Sequence, residues 1–215
     1  MFKTRGAEGV RSTWFIRLNA LFFLASLSFA DTNLSALVDA KKFDFSLLLD
    51  IRYATKNNFT KVVVYPEARC LLRKSVAQAL SRVQSALKVQ RLQLKVFDCY
   101  RPLSVQRKLW QLVPDERYVA NPEKGSRHNR GAAVDVSICD LDGKEIEMPT
   151  GYDDFTEKAH RNYFKLSKKA IRNREILENA MAKEGFVGLD TEWWHFDYRG
   201  WEAFPIEDVS FSGVP

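Results

Sequence analysis

His128 and Asp135 stand seven residues apart in Ser126-Arg127-His128-Asn129-Arg130-Gly131-Ala132-Ala133-Val134-Asp135, and a second histidine closes Glu192-Trp193-Trp194-His195. Two imidazoles and a carboxylate make three ligands for one divalent ion, and Glu192 is left over as a spare acid. A zinc hydrolytic centre needs that set: three protein ligands, an open position for water, and a carboxylate that can move a proton. Between His128 and Asp135 the residues Gly131, Ala132 and Ala133 are small, so backbone can pass close to a bound ion. Asp135 lies between Val134 and Val136 on a stretch that reads as a buried strand. A carboxylate pointing inward there needs a partner, either a cation or hydrogen-bond donors.

Residues three apart on a strand face opposite sides. Glu192 is therefore expected in the turn before the strand that carries His195, with its carboxylate bent over the ion. Asp197 shares a face with His195 and either orients its imidazole from behind or is an exposed charge at the strand end. His160 falls in the polar stretch Glu157-Lys158-Ala159-His160-Arg161, where a surface position is expected; a three-histidine site using it in place of Asp135 is the competing arrangement. Arg101, in Asp98-Cys99-Tyr100-Arg101-Pro102, sits at a strand end. A fixed guanidinium there could stabilise a developing oxyanion, an effect on the order of 3 kcal/mol; the alternative is a plain salt bridge to Asp98. Trp193 and Trp194 are expected in the core and the pocket wall.

The elements that must position these residues follow from periodicity. Leu47 to Tyr53 reads as a strand or the approach to one. Val76, Leu80, Val83 and Leu87 recur at helical spacing and predict a helix over 75–89. Leu92, Leu94 and Val96 alternate and predict a strand running to Cys99. Pro102 suits a helix start, with Val105, Leu109 and Leu112 on one face, and the polar segment from Pro114 to Arg127 reads as a loop. Ala133 to Cys139 is a second strand, and Asp142-Gly143 signals a hairpin turn into Lys144–Met148. A helix is expected over 166–184, with Leu166, Ala170, Leu177 and Met181 inward and Gly185 as its cap. Trp193 to Tyr198 is a last, aromatic-rich strand. Short strands, hairpin links and three helices predict an α+β fold: one domain, a small antiparallel sheet flanked by helices, the metal site on the sheet face.

At the N-terminus, Lys3, Arg5, Arg11 and Arg17 precede an apolar run from Leu18 to Phe29, and Ser28-Phe29-Ala30 offers small residues for cleavage. Residues 1–30 therefore read as a secretory signal peptide. The run is about a dozen residues, short of the roughly 20 that span a bilayer; an uncleaved anchor is the alternative. Residues 31–215 then form the domain, exported to the periplasm or secreted, with no stable membrane span once the leader is removed. The leader's surplus of basic residues supplies half of the net charge of +6. No basic run interleaved with aromatics remains, so nucleic acid is not an expected partner. An oxidising compartment allows one disulfide among Cys70, Cys99 and Cys139; Cys70 with Cys99 is the favoured pair, against three buried unpaired thiols. The sequence carries no signal for an oligomeric state.

The segments SRHNRGAAVD, DCYRP and EWWH, together with Tyr53-Ala54-Thr55-Lys56-Asn57-Asn58-Phe59, resemble the zinc D-alanyl-D-alanine dipeptidases, a branch of the metallopeptidases that also contains D,D-carboxypeptidases. The matches run from Asp50 to Tyr198. The resemblance implies one zinc ion per chain, held by His128, Asp135 and His195, with Glu192 as the catalytic acid and base and Arg101 as the transition-state stabiliser. It implies that Ser126 meets the substrate carboxylate, and that Tyr53 and Asp153 hold the substrate amine, with Asp154 as the alternative to Asp153. Cys99 stands where a glycine or another small residue is common in the family, and the secretory leader departs from members that act in the cytoplasm. The implied partner is a small-molecule substrate, the D-Ala-D-Ala dipeptide, in cell-wall turnover or peptide scavenging. The alternatives are a D,D-carboxypeptidase acting on peptidoglycan stem peptides and a non-catalytic zinc-containing module that binds cell-wall peptides.

Overall fold

The computed structural model describes residues 34–215; the leader expected over 1–30 lies outside the described residues. Seven strands form: β1 (Leu37–Asp39), β2 (Leu48–Leu49), β3 (Leu71–Arg73), β4 (Leu92–Asp98), β5 (Ala133–Asp140), β6 (Phe186–Leu189) and β7 (Glu192–Tyr198). β1 and β3 pair with each other, and the rest make one sheet in the order β2-β4-β5-β7-β6. Its pairings are antiparallel except β2 with β4, which are parallel because the chain returns to the sheet through β3 and a helix. Three helices lying wholly within the described residues accompany the strands: α1 (Lys74–Val89), α2 (Leu103–Leu112) and α3 (Lys168–Lys183). The α+β class and the small, largely antiparallel sheet are those expected.

α1 forms because Val76, Leu80, Val83 and Leu87 make one buried stripe. α3 starts where the Ser167 hydroxyl accepts from the Ala170 N–H at 3.0 Å, and it stops before Gly185, whose φ of +89° suits glycine. The two helices pack on each other and on the sheet, closing a core that includes Leu80, Val83, Val96, Val134, Val136, Leu177 and Met181. Alternation along β5 sends Asp135 to the side opposite Val134 and Val136, so the core face and the chemical face are separated by strand geometry alone.

Several expected elements differ. The strand over 47–53 shortens to Leu48–Leu49, and Tyr53 sits in a 3-10 turn, Arg52–Ala54. Past Gly143 the hairpin arm reduces to a single bridge, Cys139 with Glu145, because most of 144–148 stays outside the core. Leu166 precedes α3, and Leu112, at the end of α2, is half exposed. Glu192 is the first residue of β7 rather than part of the preceding turn. β1, β3 and β6 were not foreseen. Cys70 and Cys99 form the disulfide, with Cα atoms 5.2 Å apart, and Cys139 is a buried free thiol.

A sheet irregularity helps to set up the site. On β4, Val96 faces Val136 and Asp98 faces Asp135, so Phe97 is an extra residue that turns Asp98 onto the side of Asp135. Asp135 in turn faces His195 on β7. Asp98, Asp135 and His195 thus form one row across three strands.

Candidate active site

His128 opens a 3-10 turn that ends at Gly131, whose φ is +65°. Its Nδ1 lies 2.6 Å from the Cys99 carbonyl. A carbonyl only accepts, so Nδ1 carries the proton and Nε2 is left as a lone-pair donor. His195 Nε2 lies 2.9 Å from Asp197 Oδ1, and its Nδ1 lies 2.9 Å from Asp135 Oδ1 and 3.3 Å from His128 Nε2. Tyr152 donates its hydroxyl to Asp135 Oδ2 at 2.9 Å, leaving Oδ1 for the cluster. The three ligand atoms all lie within 4.8 Å of one another. Donors bound at about 2.0–2.1 Å around a tetrahedral ion stand about 3.3 Å apart, so His128, Asp135 and His195 could hold a metal ion with little movement. His160 takes no part in the cluster. Of its two readings, Asp197 follows the one in which it orients His195 from behind.

A cleft of ≈ 290 Å³ lies over this cluster, and all eight residues singled out in the sequence line it: Tyr53, Arg101, Ser126, His128, Asp135, Asp153, Glu192 and His195. Arg101 is fixed by Asp98 Oδ2 at 2.6 Å and Gln106 Oε1 at 2.9 Å, and its buried Nε–H has no partner among the described residues. The salt bridge to Asp98 is therefore present, and Arg101 also lines the cleft, so its guanidinium is fixed beside the cluster. Ser126 Oγ accepts from the His128 N–H at 3.2 Å. Asp153 takes a left-handed φ of +60° and buries an Oδ2 with no partner, whereas Asp154 caps the Thr156 N–H at 3.0 Å. That separates the two aspartates: Asp153 faces the cleft and Asp154 holds a turn. Trp194 lines the cleft and Trp193 is buried, its Nε1–H donating to Thr150 Oγ1 at 2.9 Å.

The electrostatics are uneven. Burial pushes the Asp153 carboxyl well above the usual range, with Asp135 and Glu192 adding to it. Burial likewise raises Glu192, against the pull of His195. Burial alone would raise Asp135 too, but the His128 and His195 imidazoles outweigh it and hold that carboxyl low. For His195, burial opposes the charge, yet hydrogen bonds to Asp135 and Asp197 hold it up to about 10. Low-lying and high-lying acids side by side are what proton-transfer chemistry requires.

A family model described as D-ala-D-ala dipeptidase matches residues 35–209. The chain belongs to that peptidase family. It is 37% identical over 176 residues to a D-alanyl-D-alanine dipeptidase of Escherichia coli (strain K12), covering 82% of this chain and 91% of the relative. It is 30% identical over 184 residues to one of Enterococcus faecalis (strain ATCC 700802 / V583), covering 76% and 91%. Among solved structures, a vancomycin-resistance D,D-pentapeptidase in complex with Zn(II) aligns with a TM-score of 0.41 and 16% identity, over 65% of this chain and 79% of the other.

Sequence reasoning missed three groups of contributors. Tyr152, the aromatic residue just before Asp153, gives no sign of its role in the sequence, although its hydroxyl holds Asp135. Gln106 reads as an ordinary helix residue, yet its carbonyl braces Arg101 while its amide donates to Ala120 O at 2.6 Å. The aromatic wall is built from distant segments: Phe59 and Phe155 rings stand 5.5 Å apart and Phe155 and Tyr118 4.8 Å apart. Only tertiary packing assembles it.

Proposed function

We propose that this chain hydrolyses the free D-alanyl-D-alanine dipeptide to two D-alanines, with one zinc ion held by His128, Asp135 and His195. One observation carries the dipeptide reading: Asp153 buries an unpartnered carboxylate oxygen in the same cleft as the metal-ligand cluster. A buried acid without a partner is costly, and a substrate ammonium supplies both the charge and the donors. Phe59, Phe155 and Tyr118 also wall the cleft, an aromatic lining suited to a small substrate. Family membership points to the same substrate.

When bound, zinc supplies Lewis acidity that activates water and polarises a carbonyl. Glu192, whose carboxyl burial has raised, accepts a proton from the attacking water and passes it to the leaving amine. Arg101, held rigid by Asp98 and Gln106 at the cleft, offers its guanidinium charge to the oxyanion as it develops. Ser126 meets the substrate carboxylate, while Tyr53 and Asp153 hold its amine. The leader expected over 1–30, cut after Ala30, places the enzyme in the periplasm or outside the cell, where it serves wall turnover or scavenging.

The test compares D-Ala-D-Ala with N-acetyl-D-Ala-D-Ala and a D-Ala-D-Ala-terminated pentapeptide. Acetylation turns the ammonium into an amide that leaves Asp153 unpaired, so kcat/KM is expected to fall at least about a hundredfold for both blocked substrates. Equal turnover of the pentapeptide would replace this reading with that of a carboxypeptidase. No turnover of any of them by zinc-loaded protein would leave a binding module.

A further inference from the structure

β7 sends Glu192 and His195, three residues apart, into one cleft, although a regular strand would point them to opposite faces. The irregularity that permits this lies against β6. Gly188 faces Phe196 while Leu189 faces Glu192, so one step along β6 spans four along β7. Over that stretch β6 has too few N–H groups to satisfy the carbonyls of β7, and buried carbonyls need donors.

Arg161 supplies them. Its Nη2 lies 3.2, 3.0 and 2.9 Å from the carbonyl oxygens of Glu192, Trp193 and His195. Nε donates to the Leu189 carbonyl at 2.8 Å, and Nη1 pairs with Glu178 on α3. The guanidinium lies 4.4 Å from the centre of the Phe196 ring, and the Arg161 backbone N–H donates to Asp190 O at 2.8 Å. Room for this side chain exists because residue 188 is glycine: a Cβ there would stand 2.2 Å from Arg161 Cζ. Arg161 does not line the cleft, so it touches neither the ligand atoms nor a substrate.

We infer that Arg161 is a positioning residue for this site: it replaces the missing ladder donors and holds β7 in the arrangement that turns both Glu192 and His195 inward, with Gly188 as the gap that admits it. The inference rests on the dipeptidase reading for its catalytic consequence and on geometry alone for its effect on the metal ligand. A lysine is a poor substitute: one ammonium could meet the β7 carbonyls that Nη2 reaches, but it could not also supply the Nε contact to the Leu189 carbonyl and the Nη1 contact to Glu178 that lock the group in place.

Arg161→Lys, Gly188→Ala and the double variant test this through kcat and KM for D-Ala-D-Ala, zinc affinity by competition with a chelating dye, and folded fraction by circular dichroism. Each single variant is expected to lose about a hundredfold in kcat per folded, zinc-loaded molecule, since a misplacement of about 1 Å costs that much. KM should move less than about threefold, because Ser126, Tyr53 and Asp153 lie on other segments. Zinc affinity should fall about tenfold through His195, and the double variant should lose little more than either single one, as the two residues act through one contact. A kcat per folded, zinc-loaded molecule within about twofold of the unaltered chain, or losses that multiply in the double variant, would overturn it. If the unaltered chain fails to cleave the dipeptide, the substrate reading falls alone. Zinc affinity then decides the role of Arg161, and an unchanged value removes it.

Discussion

At the scale of single residues, the proposed chemistry rests most on Glu192 and His195. Glu192 is partly buried at the first position of β7, and that burial raises its carboxyl, which favours its taking up a proton. Replacing it by glutamine keeps the volume and removes the acid–base function. Glu192→Gln is therefore expected to bind zinc one to one and to lose on the order of a thousandfold in kcat; a variant that keeps turning over with its metal in place would remove Glu192 from proton transfer. His195, held up to about 10 by Asp135 and Asp197 against the effect of burial, is an imidazolium in the metal-free chain at neutral pH. Zinc must displace that proton. Below a pH of about 10, zinc affinity is expected to rise about tenfold for each unit of pH. An affinity independent of pH between about 6 and 8 would mean that His195 binds without giving up a proton.

Elements determine whether these residues can meet. The helices over 74–89 and 168–183 and the strands carrying Val96 and Val134 are visible in the sequence because a core face repeats with the period of its element. β1 and β3 have three residues each, too few for alternation to register. The extra residue Phe97 and the uneven pairing of Gly188 and Leu189 have no signature in residue type, because a bulge is a property of two strands in register. That is why Glu192 reads as a turn residue from spacing, and why Arg161 reads as one more charge in a polar stretch. Gly131 reads in the sequence as room beside a bound ion, and the structure gives it a further reason to be glycine. It ends the His128 turn at φ +65°, and an added Cβ would come within 2.5 Å of Leu37 Cδ2 and 3.3 Å of the Arg73 N. Gly131→Ala is expected to lower unfolding free energy by about 1–3 kcal/mol in denaturant titration. Unchanged stability would show that the turn tolerates a side chain.

Across the whole molecule, segments far apart in sequence converge on one cleft, and the covalent link between them runs through the site itself. The Cys70–Cys99 disulfide spans 29 residues, and the Cys99 carbonyl receives the His128 Nδ1–H. Closing such a loop constrains the unfolded chain by about 3–4 kcal/mol. Reduction, or Cys70→Ser, is expected to lower stability by about that amount and to weaken zinc binding as His128 loses its fixed acceptor; identical denaturation curves with and without reductant would contradict this. The proposed ligands, Arg101 and the spare Glu192 stand out in the sequence because metal chemistry restricts residue types, and the structure brings them to one cleft. Asp98 beneath Arg101 was readable as a salt-bridge partner, whereas Tyr152 against Asp135 was not, because tyrosine has many ordinary uses. Among the described residues no helix is long and apolar enough to cross a membrane.

The most direct test of a zinc-dependent dipeptidase is D-Ala-D-Ala hydrolysis by one preparation assayed as purified, after chelation and dialysis, and after titration with zinc. Hydrolysis is expected to vanish with the metal and to return linearly, reaching a plateau at one zinc per chain. Undiminished hydrolysis by the metal-free protein, or none by the zinc-saturated protein, would contradict the account.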